Sequence, residues 1–159
     1  MKTAVIAAAI LSLAPHVGRK TSSSHARHIH RAAVRYDVHP LLMVAIAHIE
    51  TSRKWNPRLV SRTTDYGLMQ VHVAVRGSAR FLGRELQLFD PAINFREGAR
   101  ILRMWKNYHD RTCTTPHPYW AHYKWGFRVK NIDHALKVLR LYRQLKDRFQ
   151  PSPPPIGTT

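Results

Sequence analysis

A chain of 159 residues, 44% hydrophobic and 22% charged, has room for one compact domain and some flanking sequence, and a second full domain would not fit comfortably within it. Twenty-six Lys and Arg against nine Asp and Glu give a formal charge of +17, which decides nothing about the fold but predicts attraction to polyanions: nucleic acid, an anionic membrane or the carboxylate-bearing polymers of a bacterial wall. Cys113 is the only cysteine, so neither an intrachain disulfide nor a Cys-based metal cluster is expected.

Met1 to Ala14 is a lysine followed by an apolar run too short to span a bilayer, the profile of a secretory signal peptide or N-terminal anchor. Pro15 hinders cleavage directly after Ala14, and the alternative is an N-terminal helix packed on the domain. Lys20 to Ser24 reads as a polar joint, which divides the chain into residues 1–24 (leader or anchor and joint), 25–149 (folded domain) and 150–159 (a disordered Pro-rich tail).

The first helix of the domain is expected from about Ser24 to Tyr36, with Ile29, Ala33, Val34 and Tyr36 at helical spacing. His25, His28 and His30 lack an accompanying carboxylate or cysteine, so they read as a solvated basic face, not a metal site. Pro40 suits a first helical position, and Leu42, Met43, Ile46, Ala47 and Ile49 then form a broad apolar surface ending in Glu50. Burial and the negative end of the helix dipole both disfavour the ionised carboxylate there, which suits a general acid. The chain has only three glutamates, and a surface glutamate paired with His48, Arg53 or Lys54 is the plainer alternative.

Trp55-Asn56-Pro57 is expected to end that helix, because a residue before proline leaves the α region. Gly67 to Val73 reads as a short extended or mixed segment in which the Gln70 amide points into a cleft, and Val73 to Leu82 as a weak helical stretch. Asp90 and Pro91 mark a clear helix start, with the helix running to about His109. Gly98 within it implies close approach of another backbone. The following loop holds Cys113, expected to be an inert surface residue, since His109 and His117 are merely close in sequence. Tyr119 to Gly126 is aromatic and serves either the core or sugar stacking. Ile132 to Phe149 is the closing amphipathic helix, with Leu136, Leu139, Tyr142, Leu145 and Phe149 as its apolar stripe.

Six ordered segments carry a resemblance: Ile46-Ala47-His48-Ile49-Glu50-Thr51; Asn56-Pro57; Ser61; Gly67-Leu68-Met69-Gln70; Leu88-Phe89-Asp90-Pro91-Ala92-Ile93-Asn94 with Gly98; and Ala121-His122-Tyr123-Lys124-Trp125-Gly126. Over about Val34 to Tyr142 the chain resembles the catalytic domain of soluble lytic transglycosylases, the goose-lysozyme-like branch of the lysozyme superfamily. Two residues depart from the pattern: Thr51 replaces the usual Ser and keeps its hydroxyl, and Lys124 stands where Asn is usual, placing a cation near the glutamate or a substrate carboxylate.

The resemblance implies a mainly α, lysozyme-like single domain of several helices around a sugar-binding cleft, with little or no β-structure. It implies Glu50 as the sole catalytic acid and base, Ser61, Met69 and Gln70 lining the cleft, and Tyr123 orienting the glutamate. The implied reaction cleaves the bond between N-acetylmuramic acid (MurNAc) and N-acetylglucosamine (GlcNAc) in peptidoglycan glycan strands and closes a 1,6-anhydro ring, with no cofactor and no metal. Most glycosidases use two carboxylates. Asp65 is the candidate for a second, which would make the protein a hydrolytic muramidase; a turn-capping role is the plainer reading. A catalytically inactive basic wall-binding module is a third possibility. An exported monomer is expected, periplasmic, wall-associated or membrane-anchored. Wall turnover and service to a secretion, conjugation or phage machine all remain open, and no motif for specific nucleic-acid reading is present.

Overall fold

The computed structural model describes residues 1–73 and 78–150. The regular elements of these residues are α1 (Thr3–Leu13), α2 (Arg19–Tyr36), α3 (Pro40–Glu50), β1 (Asp65–Tyr66), β2 (Val71–His72), α4 (Pro91–Thr112), α5 (Ala121–Trp125) and α6 (Asp133–Phe149). The fold is therefore mainly α, with one short hairpin as its β-structure among the described residues. Part of the expected weak helix from Val73 to Leu82 lies outside them; what is described of it is a single 3-10 turn at Ala79–Phe81. The expected tail also lies outside them from residue 151 onward. No helix among the described residues is long and apolar enough to cross a membrane.

The fold is built round α3. Every residue from Leu41 to His48 is buried, because α1, α2 and α6 all pack against this helix. This explains its nearly unbroken apolar sequence, since a helix covered on all sides has no polar face to display. Its end is not set by Asn56-Pro57 as expected. Thr51 does the work instead: its Oγ1 donates to the Ala47 carbonyl at 2.7 Å and accepts from the Trp55 backbone N–H at 3.1 Å, while Ser52 and Arg53 turn the chain through left-handed conformations at φ 48° and 70°. Glu50 is thereby left as the last helical residue.

α1 packs on the domain, with Ile6, Ala9 and Ile10 fully buried. After Gly18 the chain enters α2 at Arg19, so residues 20–24 are helical and do not form a joint. The small side chain of Ser22 is fully buried there and donates to the Gly18 carbonyl at 2.8 Å. The inner stripe of α2 is Ser22, His25, Ala26, Ile29 and Ala33. Helical rotation carries Val34, expected inside, out to 71% exposure. His25, expected on a solvated face, is buried between the rings of Trp55 and Phe95.

Asp90 caps α4 as expected, its Oδ1 accepting from the Ala92 N–H at 2.7 Å, and the helix runs three residues past His109. Gly98 does accommodate a close approach, but of a side chain: a Cβ there would lie 2.8 Å from Met69 Cγ. In α6 the buried positions are Ala135, Val138 and Leu145, one residue out of step with the expected Leu136 and Leu139. That register turns His134 inward, toward the end of α3.

Candidate active site

Three elements meet at a cleft of about 420 Å³: the end of α3 contributes Glu50, the β1–β2 hairpin contributes Asp65, Gln70 and His72, and α5 contributes Tyr123 and Lys124. The hairpin follows from its turn chemistry. β1 and β2 pair antiparallel with Asp65 opposite His72, and the turn between them needs positive φ at Gly67 (74°) and Gln70 (47°). Asn94 of α4 holds it in place. Its Nδ2 donates to the carbonyls of Tyr66 (2.8 Å) and Leu88 (2.9 Å), and its Oδ1 accepts from the Met69 N–H at 2.7 Å.

The Glu50 side chain is only 9% exposed, and His134 Nε2 lies 2.9 Å from its Oε1, ion-pair distance when the imidazole is protonated. Neither His48, Arg53 nor Lys54 pairs with it; His48 Nδ1 instead accepts from the Trp55 indole at 3.2 Å. Tyr123 is beside the glutamate on the cleft wall, but its hydroxyl donates to the Met69 carbonyl at 2.8 Å. Burial, and next the charge of Glu50, push the Tyr123 phenol well above its ordinary range, so it stays neutral.

Asp65 faces the same cleft with both oxygens engaged. Its Oδ1 lies 2.8 Å from His72 Nδ1, and its Oδ2 accepts from Ser61 Oγ at 2.7 Å and Thr63 Oγ1 at 2.6 Å. Ser61 also accepts the backbone N–H groups of Thr63 and Asp65 at 3.1 Å. It supports Asp65 from behind and is not among the residues lining the cleft. Met69 is not on the wall either: its side chain is fully buried over Gly98, and its backbone makes the local contacts. Gln70 does line the cleft, though its amide nitrogen donates to the carbonyls of Gly67 (2.8 Å) and Leu59 (3.2 Å), bracing the loop.

The aromatic segment is not uniformly buried. Trp120 is half-buried and donates to the Ala135 carbonyl at 3.1 Å, whereas Trp125 is 38% exposed on the cleft wall. Sequence reasoning missed His134, His72 and Thr63. A hairpin with its turn at Gly67–Gln70 would have placed residue 72 opposite 65, so His72 was within reach; nothing local marks His134. Among the described residues, the group of three side chains suited to hold a metal ion is not in this cleft but near the C-terminal end of α4.

A family profile described as the transglycosylase SLT domain matches residues 27–121. That region holds Glu50, Ser61, Asp65 and the hairpin; Tyr123 and His134 fall beyond it. The chain is 34% identical over 110 residues to the membrane-bound lytic murein transglycosylase C of Photorhabdus laumondii, an alignment covering 65% of this chain and 30% of that protein. It is 33% identical, with the same coverage, to proteins of the same name from Yersinia pestis and Yersinia pseudotuberculosis. The chain thus spans about 30% of the length of these curated relatives.

Proposed function

The chain belongs to the transglycosylase SLT-domain family, and from that premise we propose that it is a peptidoglycan lytic transglycosylase in which Glu50 is the single general acid and base. One observation carries the choice of residue. Glu50 reaches the cleft with one side chain, His134, against its carboxyl, whereas both oxygens of Asp65 are already held by Ser61, Thr63 and His72.

In the proposed reaction the Glu50 carboxylic acid gives its proton to the oxygen bridging MurNAc and GlcNAc as that β-1,4 bond breaks, with the substrate's own N-acetyl group assisting at the anomeric carbon. The Glu50 carboxylate then takes the proton of the muramyl 6-hydroxyl, whose oxygen bonds to the anomeric carbon and closes the 1,6-anhydro ring. The glutamic acid is regenerated and no water is consumed. Gln70 and Trp125 bind glycan along the cleft, Ser61 and Met69 hold the loops that shape it, and Tyr123 fixes α5 to the hairpin. Peptidoglycan as substrate fits an enzyme exported to the periplasm or the wall. The apolar N-terminal segment serves as export signal or anchor only when it is released from the domain against which Ile6, Ala9 and Ile10 are buried.

Hydrolysis is the second reading, because Asp65 shares the cleft and could activate water once released from its partners. Mass spectrometry of muropeptides released from purified sacculi separates the readings. Anhydro-muramyl ends support the transglycosylase, reducing ends the muramidase, and no release a wall-binding module. Full lytic activity in Glu50→Gln would overturn the assignment of Glu50.

A further inference from the structure

Near the C-terminal end of α4, away from the cleft, the spacing His-x3-Cys-x3-His-x4-His brings together His109, Cys113, His117 and His122. One ligand atom from each of His109, Cys113 and His117 lies within 4.8 Å of the others. His122 Nε2 is 3.2 Å from Cys113 Sγ. The His122 Nδ1–H donates to the Gly126 carbonyl at 2.7 Å, which leaves Nε2 as the lone-pair nitrogen turned to the sulfur. This is the second contact by which metal-binding imidazoles are commonly oriented, the distal N–H held by a carbonyl.

The other two rings are less easily explained without a ligand. His109 Nε2 and His117 Nδ1 are both buried with no hydrogen-bond partner, although an orphaned buried polar atom costs about 1–3 kcal/mol. The His109 and His117 ring centroids are 5.0 Å apart, and those of His117 and His122 are 4.9 Å apart. Trp105 stacks on His122 at 5.3 Å and Phe127 packs on Trp105, giving the cluster an apolar wall.

We propose that His109, Cys113, His117 and His122 form a structural Zn2+ site that ties the end of α4 to α5. One thiolate and three imidazoles suit a borderline-soft cation with tetrahedral preference, and the absence of carboxylates from the set disfavours Mg2+ and Ca2+. With ordinary Zn–S and Zn–N bond lengths, tetrahedral ligand atoms lie about 3.3–3.6 Å apart. His122 Nε2 already stands near that spacing from Cys113 Sγ, at 3.2 Å. Binding draws the His109 and His117 nitrogens, within 4.8 Å of each other and of the sulfur, inward around the ion. Coordination releases the Cys113 thiol proton to solvent and uses the neutral imidazoles. Four protein ligands close the coordination sphere, which makes the ion a pin and not a catalyst. The pin acts on a short helix in which His122 is adjacent to Tyr123 of the cleft.

The test uses the full chain, purified without a polyhistidine tag, treated with chelator and titrated with zinc chloride or cobalt chloride. The expected results are a saturable isotherm of one Zn2+ per chain, a melting temperature that rises with Zn2+, and a Co2+ spectrum combining tetrahedral visible bands with thiolate charge transfer. Cys113→Ser should abolish the charge transfer, and Cys113→Ser and His117→Gln should each weaken binding at least tenfold. His28→Gln, on α2, should bind as the parent does. If Cys113→Ser fails to fold by circular dichroism, the parent Co2+ spectrum decides alone. Absence of one-to-one binding, a Co2+ complex lacking thiolate charge transfer, or a folded Cys113→Ser protein that binds Zn2+ like the parent would each overturn the site. None of these readouts depends on glycan cleavage.

Discussion

His134 Nε2 approaches Glu50 Oε1 to 2.9 Å across the α3–α6 junction, the distance of an ion pair when the imidazole is protonated. The imidazole thus stands directly against the carboxyl and covers one of its oxygens from water. His134→Ala should admit solvent to Oε1 and lower turnover on sacculi on the order of tenfold, about 1.4 kcal/mol of barrier, with little change in glycan affinity. Glu50→Gln should lose at least on the order of a hundredfold, the usual contribution of a general acid. Muropeptide release rates with parallel binding assays check both; a His134→Ala enzyme with parental turnover would show that the contact is incidental.

Asp65 ties Ser61, Thr63 and His72 together, so its removal should act on the hairpin before it acts on chemistry. Asp65→Asn is expected to cost about 1–3 kcal/mol of stability through weakened hydrogen bonds, and to slow the reaction while leaving anhydro ends as the product. Denaturant titration and product mass spectrometry read the two effects separately. A complete loss of lytic activity in a folded Asp65→Asn protein would favour the two-carboxylate reaction.

Gly67 meets two demands at once. Its φ is 74°, and a Cβ there would stand 2.4 Å from both Asn94 Nδ2 and the Leu88 carbonyl oxygen. Gly67→Ala should therefore destabilise the protein by about 3 kcal/mol or more, by breaking the contact through which Asn94 fixes the hairpin. A urea midpoint close to the parent value would mean that the loop relaxes more freely than this packing implies.

His25 supplies a pH dependence. Burial, and next the charge of His28, lower its pKa from the ordinary 6.5 to about 4. Between those values the unfolded chain takes up a proton that the folded chain refuses, so stability is lost as pH falls from about 6.5 and the loss is complete near 4. The full effect is about 3 kcal/mol. His25→Phe, which keeps an aromatic ring between Trp55 and Phe95, should flatten this part of the stability curve, as measured by urea midpoints across the range.

Much of this arrangement is legible in residue order. Pro40 opens α3, Asp90 with Pro91 opens α4, and the long apolar run ending in Glu50 marks the helix that everything else covers. Local signals of this kind survive because caps and periodicity act over a few residues. What escapes the sequence depends on rotation or distance. A shift of one position in α6 exchanges Leu136 for Ala135 in the core and brings His134 to the glutamate. His25 looks like part of a basic run until the stripe of α2 is fixed by Ser22 and Ile29. Glu97 is fully buried, gripped by Ser78, Arg80 and Arg100, and no pattern in the sequence pairs it with Arg80. Met69 and Ser61 sit at the expected places in the chain, while the burial of Met69 over Gly98 and the bond from Ser61 to Asp65 are set by packing that residue order does not show.

The inner face of α1, with Ile6, Ala9 and Ile10 withdrawn from water by the domain, has a consequence for any membrane attachment at this end of the chain. The same atoms cannot lie among lipid tails while they lie against protein. Docking and insertion are mutually exclusive occupancies of one surface. A bilayer that captured α1 would have to peel it from α3, uncovering the flank of the very helix that ends in Glu50.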